Sequence, residues 1–257
     1  MKKYIAFAKV ILKQQFKKLS DVFGTLLSFT IHISIFSLLW DFVLEGKTMA
    51  GYSQADLVWY LILAEAIIYS YSNLCKKIAA KIEMGDFAYD LTKPYNFMLR
   101  VISEGIAELP MTLILICLGI ILGIVYVGFI PVTIMSILGT FLIAMMATVL
   151  LLMLHIIVGL LSIWLGRDIS SVWLLVQKAM LIFAFSPLEL FPKVIRVPLM
   201  FLPTTHIIYT PASLLVNFSL GKFIFSLGCE LLAGTVLMLI LIFIYKKGVK
   251  KQNVEGV

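Results

Sequence analysis

Residues 132–165 read VTIMSILGTFLIAMMATVLLLMLHIIVGLLSIWL, 34 consecutive positions without a charged side chain. Wound as an α-helix at about 1.5 Å per residue, such a run is about 51 Å long, against a lipid hydrocarbon layer of about 30 Å. The excess predicts a helix that tilts, bends or extends past the lipid. Gly166, Arg167 and Asp168 end it.

Comparable apolar runs recur on both sides: about Val22–Leu44, Asp56–Cys75 and Leu109–Val127 before it, and Ser171–Phe191 and Phe223–Tyr245 after it. Trp59 and Tyr60 suit a membrane interface at one end of the second run. Pro110 is tolerable in the first turn of the third, where a missing N–H has no intrahelical partner. Gly128 to Pro131 make a tight exit. Residues 192–220 are apolar enough to enter the membrane but hold Pro192, Pro198, Pro203 and Pro211, each of which disrupts a continuous helix. The expectation is an all-α membrane protein with six transmembrane helices and re-entrant half-helices before the last span.

Composition agrees. The chain has 257 residues, 61% hydrophobic and 14% charged, with mean hydropathy +1.05, whereas a soluble domain carries about a quarter charged residues. Six spans of about 20 residues use roughly half the length, leaving no room for a soluble catalytic domain of about 100–150 residues. Residues 1–257 are therefore read as one transmembrane domain. The net charge of +7 does not point to nucleic acid, because the cations flank apolar runs and form no aromatic-interleaved patch. They read as topology signals and contacts to lipid headgroups. Cys75, Cys117 and Cys229 are far apart and lack C-x-x-C spacing, so they read as apolar fillers, and no metal site is expected.

Within residues 1–20, Lys9, Lys13 and Lys17 recur every four positions while Ile5, Ala8, Leu12, Phe16 and Leu19 share another face. That is an amphipathic interface helix, either a surface anchor or a platform for a cytoplasmic partner. With no small-residue cleavage site after it, this start is expected to be retained. With both termini cytoplasmic, sixteen cations fall inside: Lys2, Lys3, Lys9, Lys13, Lys17, Lys18, Lys76, Lys77, Lys81, Lys93, Arg100, Arg167, Lys246, Lys247, Lys250 and Lys251. Only four, Lys47, Lys193, Arg196 and Lys222, fall outside, as the positive-inside rule requires. Lys178 lies within the fifth run, where its long stem can reach the interface.

The chain has no phosphate-cradling G-x-x-x-x-G-K-[ST], no H-E-x-x-H and no G-x-S-x-G. Uphill movement would need energy from another subunit. Residues 76–100, KKIAAKIEMGDFAYDLTKPYNFMLR, are suited to receive it: charges alternate with Ile78, Ile82, Met84, Phe87, Tyr89 and Leu91, and Gly85 and Pro94 can set turns. Apolar side chains kept on the wet side either lie along headgroups or enter a partner's groove. Within the spans, Glu65 is the sharpest oddity, since an acid at the bilayer centre costs about 2.5–3.5 kcal/mol on insertion scales. It reads either as a contact for cationic cargo or a proton site, with His32 a second candidate for a translocation path or otherwise a satisfied packing residue, or as a protonated or hydrogen-bonded packing residue. His155 reads as packing. Gly119-x-x-x-Gly123 permits close helix approach, and Met145, Met146 and Met153 read as lipid-facing filler or an adaptable cargo path.

Gly51-Tyr52-Ser53, Leu57-Val58-Trp59-Tyr60, Ile82-Glu83-Met84-Gly85-Asp86-Phe87 and Leu91-Thr92-Lys93-Pro94, followed by Leu202-Pro203 and Tyr209-Thr210-Pro211-Ala212-Ser213, together resemble the permease subunits of ABC-2 type transporters. The likeness covers essentially the whole chain. It implies a non-catalytic half-transporter of an ATP-driven exporter, multi-pass in the cell membrane, paired with a second permease, alike or different. Two cytoplasmic ABC ATPase subunits would hold the ATP-Mg, with no cofactor on this chain. Residues 76–103 would be the coupling loop and Ile82, Glu83, Met84, Gly85, Asp86 and Phe87 its ATPase interface. Lys93 stands where arginine is common, and lysine makes no bidentate fork. Two other classes remain: an ion-coupled secondary transporter using Glu65, and an intramembrane enzyme for which Glu65, His32 and His155 would have to converge.

Overall fold

The structure, a computed structural model, describes residues 2–17, 19–71, 74–166 and 169–255, with side chains for all of these but residues 2 and 252–255. Arg167, Asp168, Lys18 and the side chain of Lys2, all but Asp168 used in the cation count, lie outside the described residues. Twelve α-helices account for nearly all of the described chain: α1 Lys2–Lys17, α2 Leu19–Leu44, α3 Gln54–Ile68, α4 Leu74–Glu83, α5 Asp86–Thr92, α6 Phe97–Ile106, α7 Leu109–Val127, α8 Ile134–Leu165, α9 Ile169–Phe185, α10 Lys193–Leu199, α11 Pro203–Val216 and α12 Leu220–Glu255.

The long apolar run forms α8, and it is the axis of the fold. Thr133 caps it by accepting from the Ser136 N–H while Ser136 Oγ accepts from the Thr133 N–H, so Val132 stays outside. Ile143, Ala147, Leu151 and Leu160 on α8 are fully buried. Helices α4, α11 and α12 lie against it, while α2 and α7 pack on α3 in a second layer. α11 is wedged between α8 and α3.

By length and hydropathy, four helical stretches among the described residues can cross a membrane: Leu19–Leu44, Phe97–Val127, Ile134–Leu165 and Leu220–Lys251. The pair Lys193–Leu199 and Pro203–Val216, bent by 109°, makes a fifth if it counts as one span. These match the first, third, fourth and last expected spans and the proline-broken segment.

Two expected spans are shorter than read. The second stops at Ile68 instead of Cys75, where Ser70 donates back to the Ala66 carbonyl and accepts from Thr112 of α7. The fifth stops at Phe185 because Pro187 disfavours helix in the residue before it, and a 3₁₀ turn follows at Leu188–Leu190. In α10 no side chain is buried, whereas α11 buries Ile207, Ile208, Pro211 and Ala212. The prolines thus separate an exposed half-helix from a buried one.

The expected loop 76–103 is three helices, α4, α5 and the start of α6, and the last of these runs on towards α7 through a turn at Ala107 and Glu108. Its apolar residues divide. Ile78, Ile82 and Phe87 turn into the core, leaving Met84 and Tyr89 outside. Helix α1 also differs in detail: it meets α6 through Tyr4 and Phe7, while Ile5 and Phe16 of the expected apolar face stay exposed. One flank grips protein and another remains free for lipid.

Candidate functional site

At the end of the bundle where α1, α5 and α6 gather, residues 83–86 form an exposed tip held by two buried anchors, Ile82 and Phe87. Gly85 makes the corner: its φ of +78° lies in the left-handed region, and its N–H donates to the Ile82 carbonyl at 3.1 Å. Phe87 stacks edge-on against Phe97, and α4 lies along α8. Glu83, Met84, Gly85 and Asp86 therefore face outwards on a rigid mount, while Ile82 and Phe87 are unavailable to a partner in this conformation.

Asp90 organises the residues behind the tip. Its Oδ1 accepts from Lys93 Nζ at 3.0 Å and Tyr95 Oη at 2.7 Å, and its Oδ2 accepts from Arg100 at 2.8 Å. Arg100 also donates from Nε to Glu104 at 2.8 Å and covers the Phe7 ring of α1. Burial works against the Asp90 carboxylate, but the hydrogen bonds from Tyr95 and Lys93 and the Arg100 charge outweigh it and hold its pKa below the ordinary aspartate value. The Asp90 hydrogen bond raises the Lys93 pKa in turn. Lys93 thus makes a point contact inside its own chain, while Arg100 bridges the Asp90 and Glu104 carboxylates with separate nitrogens. The Tyr4 hydroxyl accepts from the Asn96 N–H and Lys3 donates to the Pro94 carbonyl, so α1 is strapped to the same unit.

Within the bundle the structure brings Glu65 and His32 together: Nδ1 of His32 lies 3.3 Å from Glu65 Oε2, and the Tyr69 hydroxyl is 3.3 Å from the same nitrogen. Glu65 is fully buried and its Oε1 has no partner among the described residues, while His32 is partly exposed. His155 does not join them. It is buried between Tyr71 and Trp173 with neither ring nitrogen hydrogen-bonded among the described residues. Among the described residues no cluster of His, Cys, Asp or Glu could hold a metal.

At the other end, Ala50 and Gly51 both have positive φ and turn the chain so that Met49 and Tyr52 exchange backbone hydrogen bonds at 3.0 Å. Tyr52 then donates to Glu189 at 3.1 Å, and Tyr209 of α11 donates to the other carboxylate oxygen. Ser53 caps α3 in a reciprocal box with Asp56. In Gly51-Tyr52-Ser53, therefore, the glycine turns the chain, the tyrosine clamps it and the serine caps the next helix.

Sequence reading missed Glu230 of α12, which is buried with neither carboxylate oxygen bonded among the described residues. Its signal was the same as that of Glu65, an acid inside an apolar run.

A two-layer bundle of long apolar helices, interrupted by a sharply bent proline segment, is that of a polytopic membrane protein. The chain belongs to the ABC-2 family transporter proteins, whose family model matches residues 26–256. It is a multi-pass membrane permease. No curated protein matched the chain.

Proposed function

We propose that this permease is half of the translocation pathway of an ATP-driven exporter in the cell membrane, itself without catalytic activity. It would have six spans, counting α3 and α9, with both termini cytoplasmic and with α10 and α11 re-entrant from the outer side. The single transmembrane domain pairs with a second permease and with cytoplasmic ABC ATPases that carry the ATP-Mg. Family membership supports the partner class, and the sixteen-to-four division of cations supports the orientation.

One observation carries the coupling mechanism: Glu83, Met84, Gly85 and Asp86 are exposed while Ile82 and Phe87 on either side are locked into the core. A loop that merely joined two spans would need no such mount. ATPase closure would press on the tip, and α4, lying along α8, would pass the displacement to the long central helix. The bundle would then shift between inward-facing and outward-facing arrangements.

The test is to isolate the chain in mild detergent, identify what accompanies it, and cross-link from a Met84→Cys variant. The expected result is a P-loop ATPase in the complex, joined through position 84. A complex whose ATPase cross-links elsewhere and leaves position 84 free would overturn the coupling role. The His32–Glu65 pair favours a second reading, an ion-coupled transporter; transport by the purified chain in vesicles, driven by a proton or sodium gradient without ATPase, would establish it.

A further inference from the structure

Between α8 and α12 lies a cavity of about 590 Å³, within the size range of sites for drug-sized molecules. Met145, Met146 and Met153 of α8 and Met238 of α12 line it, with Glu230 among them. Glu230 is 1% exposed, so its carboxyl is reached from the groove only when a neighbouring flexible side chain moves aside, and both its oxygens lack a hydrogen-bond partner among the described residues. The other polar side chain in the lining, Thr235, already donates to the Leu231 carbonyl at 2.7 Å. No other lining residue is charged. At the rim Val149, Leu231 and Leu239 are exposed on the outer flank of the bundle, so the cavity opens sideways to the lipid. Glu230 stands ten positions into α12 from Leu220, about 15 Å along its axis.

An unbonded carboxyl buried beside an apolar groove lacks a hydrogen-bond donor, ideally a charged one. Unbranched thioether side chains adapt to varied apolar shapes and make favourable contacts with aromatic rings. We infer that this groove binds a lipophilic amine arriving from the membrane, its ammonium group on Glu230 and its apolar body among Met145, Met146, Met153 and Met238. One polar contact serves the head and the methionines accept a variable tail, which defines a ligand class broader than a single molecule. Binding here belongs to the chain itself and requires no ATPase, so it can fail while the coupling reading stands, and the reverse.

The purified chain in lipid nanodiscs is titrated with a dansyl-tagged ten-carbon primary amine and with the corresponding alcohol, read by dansyl fluorescence. The amine is expected to bind at least tenfold more tightly than the alcohol. Glu230→Gln should remove that tenfold difference while keeping a monodisperse elution profile. Met153→Trp, which fills the cavity and keeps Glu230, should weaken both probes at least tenfold. Equal binding of amine and alcohol to the parent chain, or unchanged amine preference in Glu230→Gln, would overturn the inference and assign the groove to lipid acyl chains. Loss of access because cysteines at Leu231 and Leu239 cross-link between two copies would overturn it in favour of a self-association surface.

Discussion

Glu65 and His32, 33 positions apart in sequence, meet at 3.3 Å between α3 and α2, and the second oxygen of Glu65 is left without a partner among the described residues. Both residues were legible as anomalies in apolar runs, but only helix packing joins them. Breaking the pair from either side should destabilise the bundle. His32→Ala leaves a buried carboxyl with one partner fewer, a loss of about 1–3 kcal/mol. Glu65→Gln, which keeps shape and can still hydrogen-bond, should cost less. A double-mutant cycle on thermal or denaturant unfolding in detergent should give a coupling of about 0.5–2 kcal/mol, since hydrogen bonds between membrane helices average about 0.6 kcal/mol. Strict additivity would mean that the two side chains do not interact.

Gly119 and Gly123 let α7 close on α3. A β-carbon at Gly119 would stand 2.4 Å from Ile62 Cγ2, and one at Gly123 would stand 2.9 Å from Trp59 Cζ2. Trp59 is pinned there by its indole N–H, which donates to the Gly128 carbonyl at 3.0 Å. Gly119→Leu should therefore pry α7 away from α3 and lower stability by about 1–3 kcal/mol, the range for overpacked cores. Gly228→Ala, where a β-carbon meets nothing within 4 Å, should be neutral or gain up to about 1 kcal/mol of helix propensity. Comparing melting temperatures of the two variants checks the assignment.

Gly85→Pro should uncouple the tip without preventing membrane insertion. Proline fixes φ near about −65° and lacks an N–H, whereas this position needs φ +78° and donates to the Ile82 carbonyl. Asp86→Arg should act through charge alone on the exposed tip. Both variants are expected to reach the membrane normally and to lose cargo-dependent ATP turnover in the assembled transporter. Normal turnover in both would remove residues 83–86 from the coupling pathway.

The Asp90 network sets an acid limit on the mount behind the tip. Because the folded carboxylate pKa is held below the unfolded value of about 3.9, its stabilisation is complete above that value and is lost as pH falls through the lower folded pKa. Lys93 acts in the opposite direction. Its raised pKa contributes stability below about 10.4 that is lost as pH rises through the higher folded value. Hydrogen-exchange protection of residues 86–100, taken relative to the intrinsic amide rate at each pH, should be high between these limits and fall on acidification below about pH 4. Asp90→Asn should show low protection throughout this range.

Four of the expected spans, the proline break and the membrane class were open to sequence reading because lipid imposes a local requirement. A crossing segment must be apolar throughout and satisfy its own backbone, so hydropathy and proline position are enough to find it. The first residues of α3 and α8 are equally local, since Ser53 and Thr133 each find their capping partner three positions on, although the hydropathy reading began these runs at Asp56 and Val132. The orientation of side chains within that frame was not local. Leu61 is buried and Leu39 is exposed, yet both are leucines in apolar helices, because lipid and protein interior are alike in polarity and only neighbouring helices distinguish them. For the same reason, sequence could mark Ile82 and Phe87 as interface residues along with Glu83 to Asp86, whereas tertiary packing turned the first two into anchors. Tertiary packing also joined Glu65 to His32 and left Glu230 buried beside a groove without a partner among the described residues, since a partner for a buried carboxyl must come from another helix.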